Sequence, residues 1–121
     1  MSSSKDSDII STHLFQDVLL DVPVTFYVIR MKDCLFLWIG DQGKFESLAV
    51  AIKTPYNSSP LCTSIMGYSA DDHSSALAAK LSTRIGKQVF ASYNLSNSSG
   101  SLVILVCERI FREYLGHPEH F

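Results

Sequence analysis

Cys34-Leu35-Phe36-Leu37-Trp38-Ile39 is an unbroken apolar run between Lys32-Asp33 on one side and Gly40-Asp41-Gln42-Gly43 on the other. A strand with one face in water alternates apolar and polar residues, so a run with no polar position reads as a strand covered on both faces. It is too short to cross a bilayer. The rest of the fold is read outward from it.

Upstream, Asp21-Val22-Pro23 is a break, and residues 24–31 form a second strand rich in β-branched and aromatic side chains. Lys32-Asp33 then joins the two strands as a two-residue hairpin turn, although neither residue is the Gly or Asn that such turns favour. If Met31 faces Cys34, then Ile29 faces Phe36 and Tyr27 faces Trp38 on one side of the sheet. The other side carries Phe26 with Ile39, Val28 with Leu37, and Arg30 with Leu35. Cores of protein interfaces favour Trp, Tyr, Phe and Met. We therefore assign Tyr27, Ile29, Met31, Phe36 and Trp38 to a partner, and the second face to the chain's own helices. A register slip of one residue would undo this assignment, and the alternative is that both faces pack internally.

Downstream, Gly40-Asp41-Gln42-Gly43-Lys44 is a turn, and Leu48–Ile52 is a strand whose small residues Ala49 and Ala51 let a helix sit close. Residues 54–60 compose a loop, Leu61–Met66 a short strand ended by Gly67, and residues 72–85 the clearest helix. Ser69 or Asp71 opens that helix, Leu77, Leu81 and Ile85 form its apolar stripe, and Gly86 caps its end. Residues 88–95 read as a strand, 102–107 as a final strand, and 108–115 as a helix stopped by Gly116-His117-Pro118. Residues 9–20 fit neither period cleanly; an edge strand over their first half is the preferred reading. The fold class is α+β: one mostly antiparallel sheet of about six strands, with two helices on one face and the other face open to a partner. A disordered tail over residues 1–8 precedes a single domain over 9–121.

Composition narrows the function classes. Hydrophobic residues make up 46% and charged residues 18%, against about 25% charged in a typical globular domain. Twelve acids and ten bases lie scattered to a net charge of -2, without the basic stripe of a nucleic-acid binder or a polybasic membrane patch. The polar residues 1–8 lack the apolar core of a signal peptide, so the chain is expected in the cytosol or nucleus. Cys34, Cys62 and Cys107 are odd in number and lie in or beside apolar runs, so they read as reduced, buried small hydrophobes.

Chemistry-bearing patterns are weak. Gly67-Tyr68-Ser69-Ala70-Asp71 starts like a nucleophile elbow, but Asp71 replaces the second glycine, and helix capping explains Ser69 and Asp71 better. His13, His73, His117 and His120 stand in no metal-ligand spacing. Cys34 sits in the most apolar run, and Cys62 is the least buried thiol candidate. No Gly-rich phosphate loop exists, and Asp71-Asp72 are ordinary helix-start acids. This reading names no catalytic, cofactor or metal residue.

Residues 27–31 leading into Leu35-Phe36-Leu37-Trp38-Ile39-Gly40, then Leu48-Ala49-Val50-Ala51, resemble the proteasome assembly chaperone 4 family. The match runs on through Thr63-Ser64-Ile65-Met66-Gly67 and residues 87–95 to Pro118-Glu119-His120-Phe121. The resemblance implies a non-enzymatic α+β chaperone that pairs with proteasome assembly chaperone 3. Such a pair holds α-type subunits while the first ring of the proteasome core particle forms, and needs no cofactor. A homodimeric adaptor with unrelated clients is the competing reading. The ending Glu119-His120-Phe121 lacks the penultimate tyrosine of proteasome-docking tails, so docking of that kind is not expected.

Overall fold

A computed structural model describes residues 10–54, 59–67, 73–96 and 99–121. The tail expected over residues 1–8 lies outside them, as do most of the 54–60 loop and the helix start at Ser69 and Asp71.

The strands are β1 (Ser11–Leu19), β2 (Val22–Arg30), β3 (Cys34–Gly40), β4 (Leu48–Ile52), β5 (Leu61–Met66) and β6 (Gln88–Asn94), and the helices are α1 (His73–Ile85) and α2 (Gly100–Gly116). They form one sheet in the order β1-β2-β3-β6-β4-β5. Only the β3–β6 pair is parallel. The apolar run therefore occupies the middle of the sheet, flanked by β2 and β6, and this placement explains why it has no polar position.

The β2–β3 register is the one read from the sequence, with Tyr27 opposite Trp38 and Ile29 opposite Phe36. Pro23 stands inside β2, but the β2–β3 pairing ends at Thr25, so its missing N–H interrupts no bond on that side. β1 runs the full length of β2, beyond the half-strand expected. The turn between them, Leu20-Asp21, has φ of 50° and 63°, the two left-handed residues of a tight hairpin turn. Lys32 and Asp33 make their turn without positive φ among the described residues.

The core lies between the sheet and the two helices. Phe26, Val28, Leu35, Leu37, Ile39, Ala49, Ala51, Val89 and Ala91 are fully buried on the helix side. Leu77, Ala78 and Leu81 of α1 and Leu102, Val106 and Ile110 of α2 pack down on them. Gly86, at φ 81°, ends α1 in the left-handed conformation that favours glycine.

Residues 102–107 are not a strand: they are the first half of α2. The Ser99 side chain accepts the Leu102 N–H, capping the helix, and Leu102, Val106 and Ile110 recur every fourth residue as a buried stripe. The run Leu102-Val103-Ile104-Leu105-Val106-Cys107 looks like a strand because its outer positions are apolar too, Ile104 being exposed. The end of the chain folds back as a short 3-10 turn, Pro118–His120, which seats Phe121 in the core edge-on to Tyr114. Lys87 Nζ donates to the main-chain oxygen of Phe121 at 2.6 Å, so this end is tied into the domain.

Candidate partner surface

Alternation along each strand carries a second set of side chains to the face away from both helices. In one row Ile29, Phe36, Phe90, Val50 and Thr63 stand side by side across β2, β3, β6, β4 and β5. In the next, Leu14, Tyr27, Trp38 and Ser92 cross β1 to β6. Val18 in β1, Ile52 in β4 and Leu61 in β5 extend the surface to both edges. No charged residue occupies a strand position on this face. Leu14 is 57% exposed, Tyr27 39% and Leu61 57%, while Ile29, Phe36, Trp38 and Phe90 are half-buried among their neighbours.

The structure brings the sequence-selected residues Tyr27, Ile29, Phe36 and Trp38 together here, with Met31 half-buried at the end of the same hairpin. Sequence reasoning missed Leu14, Val18, Val50, Ile52, Leu61 and Phe90. Val50, Ile52, Leu61 and Phe90 lay in readable strands, but which face they served depended on the β3–β6 neighbour relation, which no local pattern encodes. Leu14 and Val18 lay in a segment without a clean period, placed by the β1–β2 pairing. It also missed Phe45, 48% exposed on the loop after β3, whose ring lies 6.1 Å from that of Phe36. A charge-free apolar sheet face of this kind can pack against a second sheet about 10 Å away.

The sequence profile of the proteasome assembly chaperone 4 family matches residues 23–95. Proteasome assembly chaperone 4 of Mus musculus is 41% identical over 119 residues, covering 98% of this chain and 96% of the relative. The chain belongs to the proteasome assembly chaperone 4 family. The Homo sapiens member is also 41% identical, over 93% of this chain and 91% of its own length. A chain from a crystallised chaperone complex for yeast 20S proteasome assembly shares the fold, with a TM-score of 0.67 and 12% identity. That likeness covers 92% of this chain and 96% of the other.

In this member of the family, the candidates for chemistry resolve into structural roles where they are described. Cys107 is buried, and burial pushes its thiol pKa up, keeping it an inert core group. Contrary to the reading of all three cysteines as buried, Cys34 is half-buried and Cys62 exposed, because β5 is an edge strand with no buried position. The Cys62 thiol donates to the main-chain oxygen of Ser75 rather than to a histidine. Ser69, Asp71 and Asp72 lie outside the described residues.

The fold does gather histidines that sequence spacing kept apart. His13, Glu113 and His120 bring ligand atoms within 4.8 Å of one another. Yet the His13 and His120 rings stack at 3.8 Å and 23°. Nitrogen lone pairs lie in the ring plane, so stacked rings hold them in separate, nearly parallel planes, a poor arrangement for converging on one ion. The cluster is arranged as an ion-pair network: His13 meets Glu113 at 2.9 Å, and Arg109 bridges Glu113 and Asp17 at 2.9 and 2.8 Å. Burial would raise the Glu113 carboxyl, but hydrogen bonds from His13 and Arg109 outweigh it and hold the pKa below the usual carboxylate range. The network fastens α2 to β1 on the helix side, away from the open face.

Proposed function

We propose that this chain is a non-enzymatic chaperone of proteasome core-particle assembly, pairing through its open sheet face with proteasome assembly chaperone 3. The observation that carries the reading is the charge-free sheet face with its aromatic and aliphatic centre, with both helices on the other side. Family membership supports the assembly role. The pair would hold α-type subunits in order while the first ring closes, and then leave.

The mechanism is binding. Two sheets packed face to face would bury the half-exposed aromatics, and a standard interface covers about 800 Å² on each partner. The composite surface then excludes wrong neighbours and presents the right ones, and release follows when a larger interface between ring subunits displaces it.

The test is gentle affinity purification of the tagged chain from its own cells, with co-purifying proteins identified by mass spectrometry. Chaperone 3 with α-type subunits and immature rings, and little finished proteasome, is the expected result. A stable homodimer, or another stable partner with no proteasome subunits, would overturn the assignment in favour of an adaptor with other clients.

A further inference from the structure

The residues after β3 do not simply leave the sheet: they roof one end of its open face. Asn94 of β6 sits beneath them, almost fully buried. Its Oδ1 accepts the main-chain N–H of Glu46 at 2.7 Å and of Ser47 at 3.1 Å. Its Nδ2 donates to Ser92 Oγ at 2.7 Å and, more weakly, to the Ile39 carbonyl at 3.4 Å. Ser92 Oγ in turn donates to the Ser47 carbonyl, and Ser47 Oγ pairs with Ser74 Oγ of α1 at 2.6 Å. The loop is thus tied to β6 and α1.

That loop holds the largest side chain of the open face. Trp38 Nε1–H donates to the Lys44 carbonyl at 2.9 Å. Its ring lies flat over Gly40, where an added Cβ would fall 2.5 Å from Cη2. Phe45, the residue before the Asn94-bound N–H of Glu46, sets its ring beside Phe36. The face of the Trp38 ring over Gly40 and its N–H edge are thus engaged within the chain.

We infer that Asn94 is a positioning residue for the partner face, acting through the 44–47 segment to preorganise Trp38 and Phe45. This rests on the partner-face reading above and adds a statement about the partner. Because the indole N–H already has its acceptor within the chain, a surface that receives Trp38 needs to supply no hydrogen-bond acceptor to it. Interface side chains that arrive ordered save the entropy of immobilising them on binding.

Trp38 is the only tryptophan, so intrinsic fluorescence of the free, full chain reports on this side chain alone. In Asn94→Ala we expect Trp38 anisotropy to fall and acrylamide quenching to rise severalfold, with dissociation of chaperone 3 becoming about tenfold more favourable. Asn94→Asp keeps the one oxygen that accepts the Glu46 and Ser47 N–H groups but loses the Nδ2 donor, and should leave Trp38 closer to its parent quenching than Asn94→Ala does. If Asn94→Ala does not fold, Glu46→Pro removes one donor from the exposed loop side and should act in the same direction. In a Trp38→Ala background, Asn94→Ala should cost markedly less binding. A folded variant with unchanged Trp38 fluorescence, or equal binding losses in both backgrounds, would overturn the positioning role. Freed Trp38 in Asn94→Ala, combined with chaperone 3 binding indifferent to Trp38→Ala, would instead overturn the partner-face reading on which it rests.

Discussion

The two faces of the central hairpin are built from neighbouring residues of similar hydrophobicity, yet they differ in fate. Leu35, Leu37 and Ile39 are fully buried under the helices, whereas Phe36 and Trp38, interleaved with them, are half-buried on a face with no helix. Hydrophobicity alone does not separate a core from an interface. The separating features are what the topology lays on each face and the residue type that results. The helix side is mainly aliphatic with small alanines in β4 and β6, and the open side is aromatic and free of charge at its strand positions.

The sharpest way to break this comparison is to truncate adjacent residues. Leu37→Ala removes a fully buried side chain and should destabilise the free chain by about 2–5 kcal/mol in urea unfolding, leaving a cavity beneath the helices. Trp38→Ala should cost the free chain less, but weaken association with chaperone 3 by about 2 kcal/mol, read by calorimetry on folded protein. Equal effects of both substitutions on stability and on association would erase the distinction between the faces.

The next effect is smaller and concerns how β1, with Leu14 and Val18, joins the open face. Its register is set by a turn that forces Leu20 to φ 50°, a conformation costly for leucine and easy for asparagine. Leu20→Asn should stabilise the chain by about 0.5–1 kcal/mol in the same unfolding experiment. A loss of stability would mean that the turn is not formed as described.

On the helix side, Glu113 links the fold to pH. Its folded pKa is lowered, so its contribution is present above the unfolded carboxylate value of about 4.3 and is lost as pH falls through the folded value. Stability should therefore drop on acidification below about pH 5, and Glu113→Gln should flatten that limb. Partner association measured on still-folded protein should be the less sensitive quantity. Smallest of all, Cys62→Ala should leave both stability and pairing unchanged; a clear functional loss with the fold intact would reopen a catalytic reading.

What was legible in the sequence follows from how local each determinant is. The β2–β3 register could be read because two apolar strands flank a two-residue turn, and β4, β5 and α1 because breakers or caps bound them. The β1–β2 turn could not, since Leu20-Asp21 carries none of the Gly or Asn that usually marks positive φ. The first half of α2 was misread because β-branched residues populate all sides of an apolar run, and the deciding signal was the Ser99 cap just before it. The open face was half legible as a surface: the grouping of Tyr27, Ile29, Phe36 and Trp38 followed from the hairpin, while Phe90 and Val50 joined only through the parallel β3–β6 pairing across a long crossover. Asn94 gave no sequence signal, because its role lies in bonds to residues almost fifty positions earlier.

Pairing through the open face is tested most directly at Trp38. Trp38 can be replaced by 5-fluorotryptophan and followed by fluorine resonance as unlabelled chaperone 3 is added, with complex formation confirmed by size-exclusion chromatography. The Trp38 signal should move on complex formation and lose its sensitivity to exchange of H2O for D2O. A complex that forms while the Trp38 signal stays unmoved and solvent-sensitive would contradict it.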